Sequence, residues 1–165
     1  MTATASQQLS QDAPLSGSQD ASQDEDLLLE RQLCFALSVA SRSVIGAYRP
    51  VLEELNLTHP QYLVMLALWE KNPRSVREIS EALAMEPATL SPMLKRLEAN
   101  GLVTRERVAG NERALAVGLT AQGRELREQA LSVPGTMMKK LGLTREQAEN
   151  LNAVMREVIA AAGGA

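Results

Sequence analysis

A mainly α-helical fold with one small β wing is what this sequence predicts, and three observations in Ser75–Thr120 predict it. Val76, Ile79 and Leu83 recur at helical spacing, and after a break at Ala84-Met85 so do Leu90, Met93, Leu94 and Leu97. Gly101 follows Asn100, where a helix should stop. Leu115, Val117 and Leu119 then alternate with small residues, as in a half-buried strand. Between the two strand segments lies Arg105-Glu106-Arg107-Val108-Ala109-Gly110-Asn111-Glu112-Arg113, an Arg-rich turn containing glycine. Helix, tight turn, helix and hairpin in that order are the layout of a winged helix-turn-helix. In that layout one helix enters a DNA major groove and a strand turn reaches the backbone or minor groove.

The flanking elements are helical. A first helix is expected from about Asp26, with Leu29, Leu33, Leu37, Ala40 and Val44 along one stripe and Pro50 ending or kinking it. Thr58-His59-Pro60-Gln61 reads as the start of the next helix, with Thr58 as cap, Gln61 closing a capping box and Leu57 packing on Tyr62. Asn72-Pro73 should stop it. Thr120 should cap a long helix interrupted around Val133-Pro134-Gly135. Thr144 to Gln147 repeats the capping-box pattern ahead of a last helix carrying Ala148, Leu151, Val154, Met155 and Val158. In the reader helix Pro92 fits best within a first turn, which favours regular helix from near Thr89.

Composition narrows the function. Hydrophobic residues are 45% of the 165 and aromatics 2%, so the core must come from Leu, Ala, Val and Met. No apolar run reaches the ~18 residues of a membrane span, and the N-terminus shows neither the basic start nor the apolar core of a secretory signal. Net charge is -3, but residues 1–26 hold five acids and no Lys or Arg. The remainder carries 17 basic against 15 acidic side chains, a balance that permits DNA binding. Residues 1–25 are an acidic, Ser- and Gln-rich tail expected to be disordered. One cysteine rules out an intrachain disulfide and, with one histidine, argues against a metal site; no cofactor is expected, and a reducing cytoplasm is the natural setting.

The wording of two segments goes further. ATLSPMLKRLEANGLVTRERVAGNERALAVGLT (Ala88–Thr120) resembles the reader helix and wing of the MarR family of bacterial repressors. LCFALSVASRSVIGAYRPVLEELNLTHPQYLVMLALWE (Leu33–Glu70) resembles one branch of it, the OhrR repressors that sense organic hydroperoxides. The resemblance runs from about Leu33 to about Val158. It implies a homodimer: a dimerisation and sensor helix over 26–57, the winged helix-turn-helix over 58–120, and dimerisation helices over 121–165. The terminal helical regions indeed carry more apolar positions than one winged-helix core needs. The implied partners are a double-stranded DNA operator with an inverted repeat, an organic hydroperoxide and a small cellular thiol, with no membrane.

Candidate DNA contacts follow. Thr89, Ser91, Lys95 and Arg96 occupy the polar side of the reader helix, and Glu86 stands at its start, where OhrR proteins often carry Asp-Ser-Gly in place of Glu86-Pro87-Ala88. Hydroxyls suit bases or phosphates and cations suit phosphates. In the wing the family's Asp-x-Arg is Asn111-Glu112-Arg113 here, so the minor-groove contact is carried to Arg113, with Asn111 in place of the acid and Arg105 as a further cation.

The candidate sensor is Cys34. Tyr48, fourteen positions on, faces nearly the same way but sits roughly 21 Å along the helix axis. The two can meet only if a second subunit lays the same helix antiparallel, which is what the OhrR resemblance implies. A phenol donating to sulfur stabilises the thiolate that attacks peroxide. Two positions depart from the pattern: Ser38 and His59 stand where OhrR proteins have tyrosine. Ser38 can still donate with less reach, and His59 can offer an N–H to Cys34 of the other subunit. The expected function is a repressor released by oxidation of Cys34. The alternatives are release by a phenolic or other small ligand and sensing of another oxidant such as hypochlorite. A thiol peroxidase is disfavoured because no second cysteine can recycle the first, and no enzymatic activity is expected.

Overall fold

The threonine caps Thr58, Thr120 and Thr144 mark three helix starts in this sequence, and the computed structural model begins a helix after each. It describes residues 25–108 and 111–163; the side chains of 107, 108 and 111–114 lie outside the described set. Most of the acidic tail and the wing tip therefore fall outside it. The order is a 3-10 turn (Leu29–Arg31), α1 (Leu33–Glu53), α2 (His59–Glu70), β1 (Arg74–Ser75), α3 (Val76–Leu83), α4 (Pro87–Ala99), β2 (Val103–Val108), β3 (Asn111–Leu119), α5 (Ala121–Ala130), α6 (Ser132–Leu141) and α7 (Arg145–Ala161). The chain divides into two units between Arg42 and Ser43, within α1.

All the expected caps form. Thr58 N donates to Gln61 Oε1 at 2.9 Å ahead of α2. Gly123 N donates to the Thr120 hydroxyl at 3.0 Å. Thr144 N donates to Gln147 Oε1 at 2.9 Å, and Gln147 N returns a bond to Thr144 Oγ1 at 3.2 Å. Each satisfies backbone donors that a helix start leaves without a partner.

Four expectations need correction. The first helix begins at Leu33, because Leu29–Arg31 is a 3-10 turn and Gln32 is extended. Over a single turn, apolar spacing does not separate the two helix types. Of the two outcomes expected of Pro50, ending the helix is overturned: α1 continues to Glu53, and Gly46 occupies the position whose carbonyl the proline ring opposes. The reader helix starts at Pro87 rather than near Thr89, which puts Pro92 inside it. Both Pro92 and Ala88, whose carbonyl loses its intrahelical partner, are exposed. The break in the C-terminal half falls at Leu131, not Val133–Gly135, so that Pro134 sits in the first turn of α6, where a missing N–H costs nothing.

The sheet has three strands in the order β1-β3-β2, all antiparallel, one more than the hairpin the sequence shows. Arg74 pairs with Val117 and Ser75 with Ala116. Val103 pairs with Leu119 and Arg105 with Val117, and the register slips between Arg107 and Val108. β1 is two residues long, too short for any periodicity.

In the unit from Ser43 onward, one core joins α2, both helices of the helix-turn-helix, the wing base, α5 and α6. Met65, Leu68, Ile79, Leu90, Leu97, Val117 and Met137 lie at its centre. No helix among the described residues is long and apolar enough to cross a membrane. α7 buries no residue, and Leu151, Val154 and Ile159 on it are exposed. In the first unit Leu33, Phe35 and Val39 of α1 are exposed as well.

Candidate DNA interface and redox site

α3 is held at its start by a reciprocal box. Ser75 N donates to Glu78 Oε2 at 2.8 Å, and Glu78 N donates to Ser75 Oγ at 3.1 Å. Lys71 reaches the same carboxylate at 2.7 Å. The Lys71 ammonium, with the Ser75 N–H and hydroxyl, holds the Glu78 carboxyl at about 2 against the usual 4.5. Ala84 closes α3 in the left-handed region, φ 49°. That turn carries the chain into α4.

Leu90, Leu94 and Leu97 bury one side of α4. Glu86, Thr89, Ser91, Lys95 and Arg96, the five expected readers, are all exposed. They are not equivalent. The Ser91 hydroxyl donates back to Pro87 O at 2.9 Å. Glu86 is the N-cap residue yet makes no side-chain bond to the helix. Neither Lys95 nor Arg96 has an acidic partner among the described residues.

Arg105, expected as a further cation of the wing, is paired within the chain. Its Nε donates to Glu98 Oε2 at 2.8 Å and its Nη2 to the same oxygen, joining the last turn of α4 to β2. The guanidinium is thus turned toward the reader helix and braces it against the wing. Asn111 and Arg113 are on β3, with side chains outside the described set.

The wing base is anchored by residues without a sequence signature. Leu119 N donates to Asn72 Oδ1 at 2.8 Å, and Thr120 Oγ1 donates to Gly101 O at 2.6 Å. Trp69 Nε1 donates to Gly123 O at 2.8 Å. Gly123 is buried so close to Leu102 that a Cβ would lie 2.0 Å from the Leu102 carbonyl oxygen. Only glycine permits that approach.

Of the sensor candidates, Cys34 is an exposed free thiol on α1 and Ser38 is exposed on the same helix. In the other unit Tyr48 lies against His59, ring centroids 5.4 Å apart at 64°, and against Tyr62 at 6.2 Å. Burial pushes the Tyr48 phenol above its usual 10.0 and the His59 imidazole below its usual 6.5. A neutral phenol is kept as an O–H donor, and a protonated His59 is disfavoured.

Similarity to known proteins decides the family. Residues 47–130, half of the chain, match the family model "Transcriptional regulator SarA/Rot". An organic hydroperoxide resistance transcriptional regulator of Bacillus subtilis is 43% identical over 77% of this chain and 84% of its own length. The chain belongs to the MarR-like winged-helix transcriptional regulators. The regulator TtmR of Methylorubrum extorquens is 40% identical over 85% of this chain and 74% of its own length. Reduced AbfR bound to DNA, AbfR being a protein of Staphylococcus epidermidis, superposes with TM-score 0.73 at 34% identity, covering 86% of this chain and 96% of that one. The helix-turn-helix and the paired β2 and β3 expected of such a regulator are both present here.

Proposed function

We propose that this regulator is a homodimeric repressor that holds an inverted-repeat operator while Cys34 is reduced and releases it when an organic hydroperoxide oxidises Cys34. The observation that carries the reading is the one exposed cysteine on α1, a helix whose exposed Leu33, Phe35 and Val39 call for an apolar partner. The hydroperoxide-resistance regulator at 43% identity supports the choice of oxidant. The exposed apolar residues of α1 and α7 form the dimer contact. Cys34 then faces Tyr48 of the partner subunit, whose neutral phenol donates to the thiolate. On each half-site Thr89, Glu86 and Ser91 meet base edges or phosphates, Lys95 and Arg96 meet phosphates, and Arg113 enters the minor groove.

The chemistry balances without a metal or cofactor. The thiolate sulfur attacks the outer oxygen of ROOH, an S–O bond forms, the O–O bond breaks, and ROH leaves after taking up a proton. Sulfur is oxidised by two electrons and the peroxide reduced by two. A small thiol R′SH then condenses with the sulfenic acid, giving a mixed disulfide and water. That adduct is bulky for a packed interface and forces it apart.

Release by a phenolic or other small ligand ranks behind, because the relative at 43% identity is a hydroperoxide-resistance regulator. One cavity of the Ser43–Ala165 unit, about 660 Å³, is lined by Glu54, Glu125, Asn100, Gln122 and Gln129 together with Leu55, Leu102 and Leu126. The test is operator binding by wild type and Cys34→Ser with cumene hydroperoxide, read beside intact mass. Cys34→Ser should bind as wild type does and stay bound under oxidant, and free cysteine should complete wild-type release. Release of Cys34→Ser at wild-type doses would overturn the redox reading.

A further inference from the structure

The sequence places His59 where it could serve the sulfur directly. Its geometry puts it to another use. Tyr48 meets two rings, both from α2: His59 edge-on at 5.4 Å and Tyr62 tilted at 37° and 6.2 Å. These rings are fixed from behind. His59 is the first residue of α2, held between the Thr58–Gln61 box and Pro60, whose ring restricts the backbone before it. Tyr62 is buried and packs edge-on against Trp69 at 6.3 Å, and Trp69 is tethered through its indole N–H to Gly123 O. Tyr48 on α1 and His59 are both half-buried, whereas Tyr62 behind them is buried.

We infer that His59 is a positioning residue for Tyr48: its ring edge fixes the phenol so that the hydroxyl is presented outward as a donor, and its own N–H groups are not used on sulfur. The inference rests on the proposed role of Cys34 and Tyr48. Burial disfavours charge on both rings, which suits an aromatic contact and not a cation aimed at a thiolate. Edge-to-face pairs favour one ring orientation over others by a few-fold to about tenfold in population. Losing that preference shortens the time for which the donor is in place and slows the attacking step by up to the same factor. Because tyrosine at position 59 would bring its own hydroxyl, the histidine also makes this sensor one in which Tyr48 is the principal phenol donor.

The experiment is the rate of Cys34 modification by cumene hydroperoxide with free cysteine present, followed by intact mass on full-length dimer. The variants are Tyr48→Phe, His59→Ala, His59→Phe and the double variant Tyr48→Phe/His59→Ala, with thermal melts on each. His59→Ala should slow modification about three- to tenfold. His59→Phe, which keeps an aromatic edge and has no N–H, should stay within about twofold of wild type, as the same contact is retained. The double variant should be no slower than Tyr48→Phe, since His59 acts through Tyr48. If His59→Ala melts early, His59→Leu, which fills space without an aromatic edge, replaces it. A His59→Phe as slow as His59→Ala would show that the imidazole N–H serves the sulfur and would overturn the inference. So would full additivity in the double variant. Slowing by Tyr48→Phe with none by His59→Ala would sink the inference alone. An unslowed Tyr48→Phe would sink the donor role of Tyr48 and the inference with it.

Discussion

Replacing Gly123 by alanine tests whether the wing base and the C-terminal helices are one piece. The new methyl would lie 2.0 Å from the Leu102 carbonyl oxygen, 3.1 Å from its carbon and 3.3 Å from a Leu119 methyl. The first is a backbone atom and cannot swing aside, so α5 must back away. Overpacking of that kind costs about 1–3 kcal/mol. Withdrawal also stretches the bond from Trp69 Nε1 to Gly123 O, now 2.8 Å, and that from Gly123 N to Thr120 Oγ1, now 3.0 Å. At about 1 kcal/mol each, the total reaches about 3–5 kcal/mol. That is a large share of the roughly 5–15 kcal/mol a domain has. The assay is urea unfolding of reduced protein followed by the fluorescence of Trp69, the chain's one tryptophan. With a slope of about 1–3 kcal/mol per molar urea, the midpoint should fall by more than about 1 M. A midpoint within about 0.3 M of wild type, too little for a cost of even 1 kcal/mol, would refute the argument from close approach.

Two further predictions concern charge. Glu98→Ala and Arg105→Ala should each lower stability by about 1–2 kcal/mol, between an exposed and a charge-assisted pair. Their double variant should lose no more than either alone. In operator titrations at several salt concentrations Arg105→Ala should keep the wild-type salt dependence, whereas Arg113→Ala should lose about 1–3 kcal/mol of binding; the reverse ranking would return Arg105 to the DNA face. For pH, the Glu78 carboxyl is depressed to about 2 by Lys71 and Ser75, so its contribution is complete above 4.5 and is lost as pH falls from there toward 2. Melting temperatures over that window should fall less steeply for Glu78→Gln than for wild type, and parallel curves would show the box to be uncoupled from stability.

What could be read from the chain follows from the range of the forces involved. Helix caps are local, confined to about four residues and chemically distinctive, so Thr58, Thr120 and Thr144 were legible. The two apolar stripes of the helix-turn-helix and the exposed reader residues were legible for the same reason. The proline positions were not, because Pro50, Pro92 and Pro134 are each tolerated through what lies at a neighbouring turn. Arg105 looked like a DNA contact because Glu98, seven residues earlier, becomes its neighbour only once α4 and β2 have packed. Asn72 was legible only as part of a helix stop, and Trp69 and Gly123 not at all; their roles at the wing base arise from contacts spanning 47 to 54 positions. His59 was legible as unusual, but its orientation toward Tyr48 depends on how α1 and α2 meet.

Ser75 belongs to two structures at once. It is the second residue of β1, paired with Ala116 of the wing, and it is also the cap of α3. A wing that pivots would drag the cap with it, and a helix that slides would tear the strand. The wing and the helix that precedes the reader are therefore joined through one residue, like the two plates of a single caliper jaw. A signal has little to bend inside such a jaw. For the proposed dimer, control over the operator would then be metrical: it would act on how far apart two jaws are set, and a small change at the proposed seam would be enough to miss the spacing of the grooves.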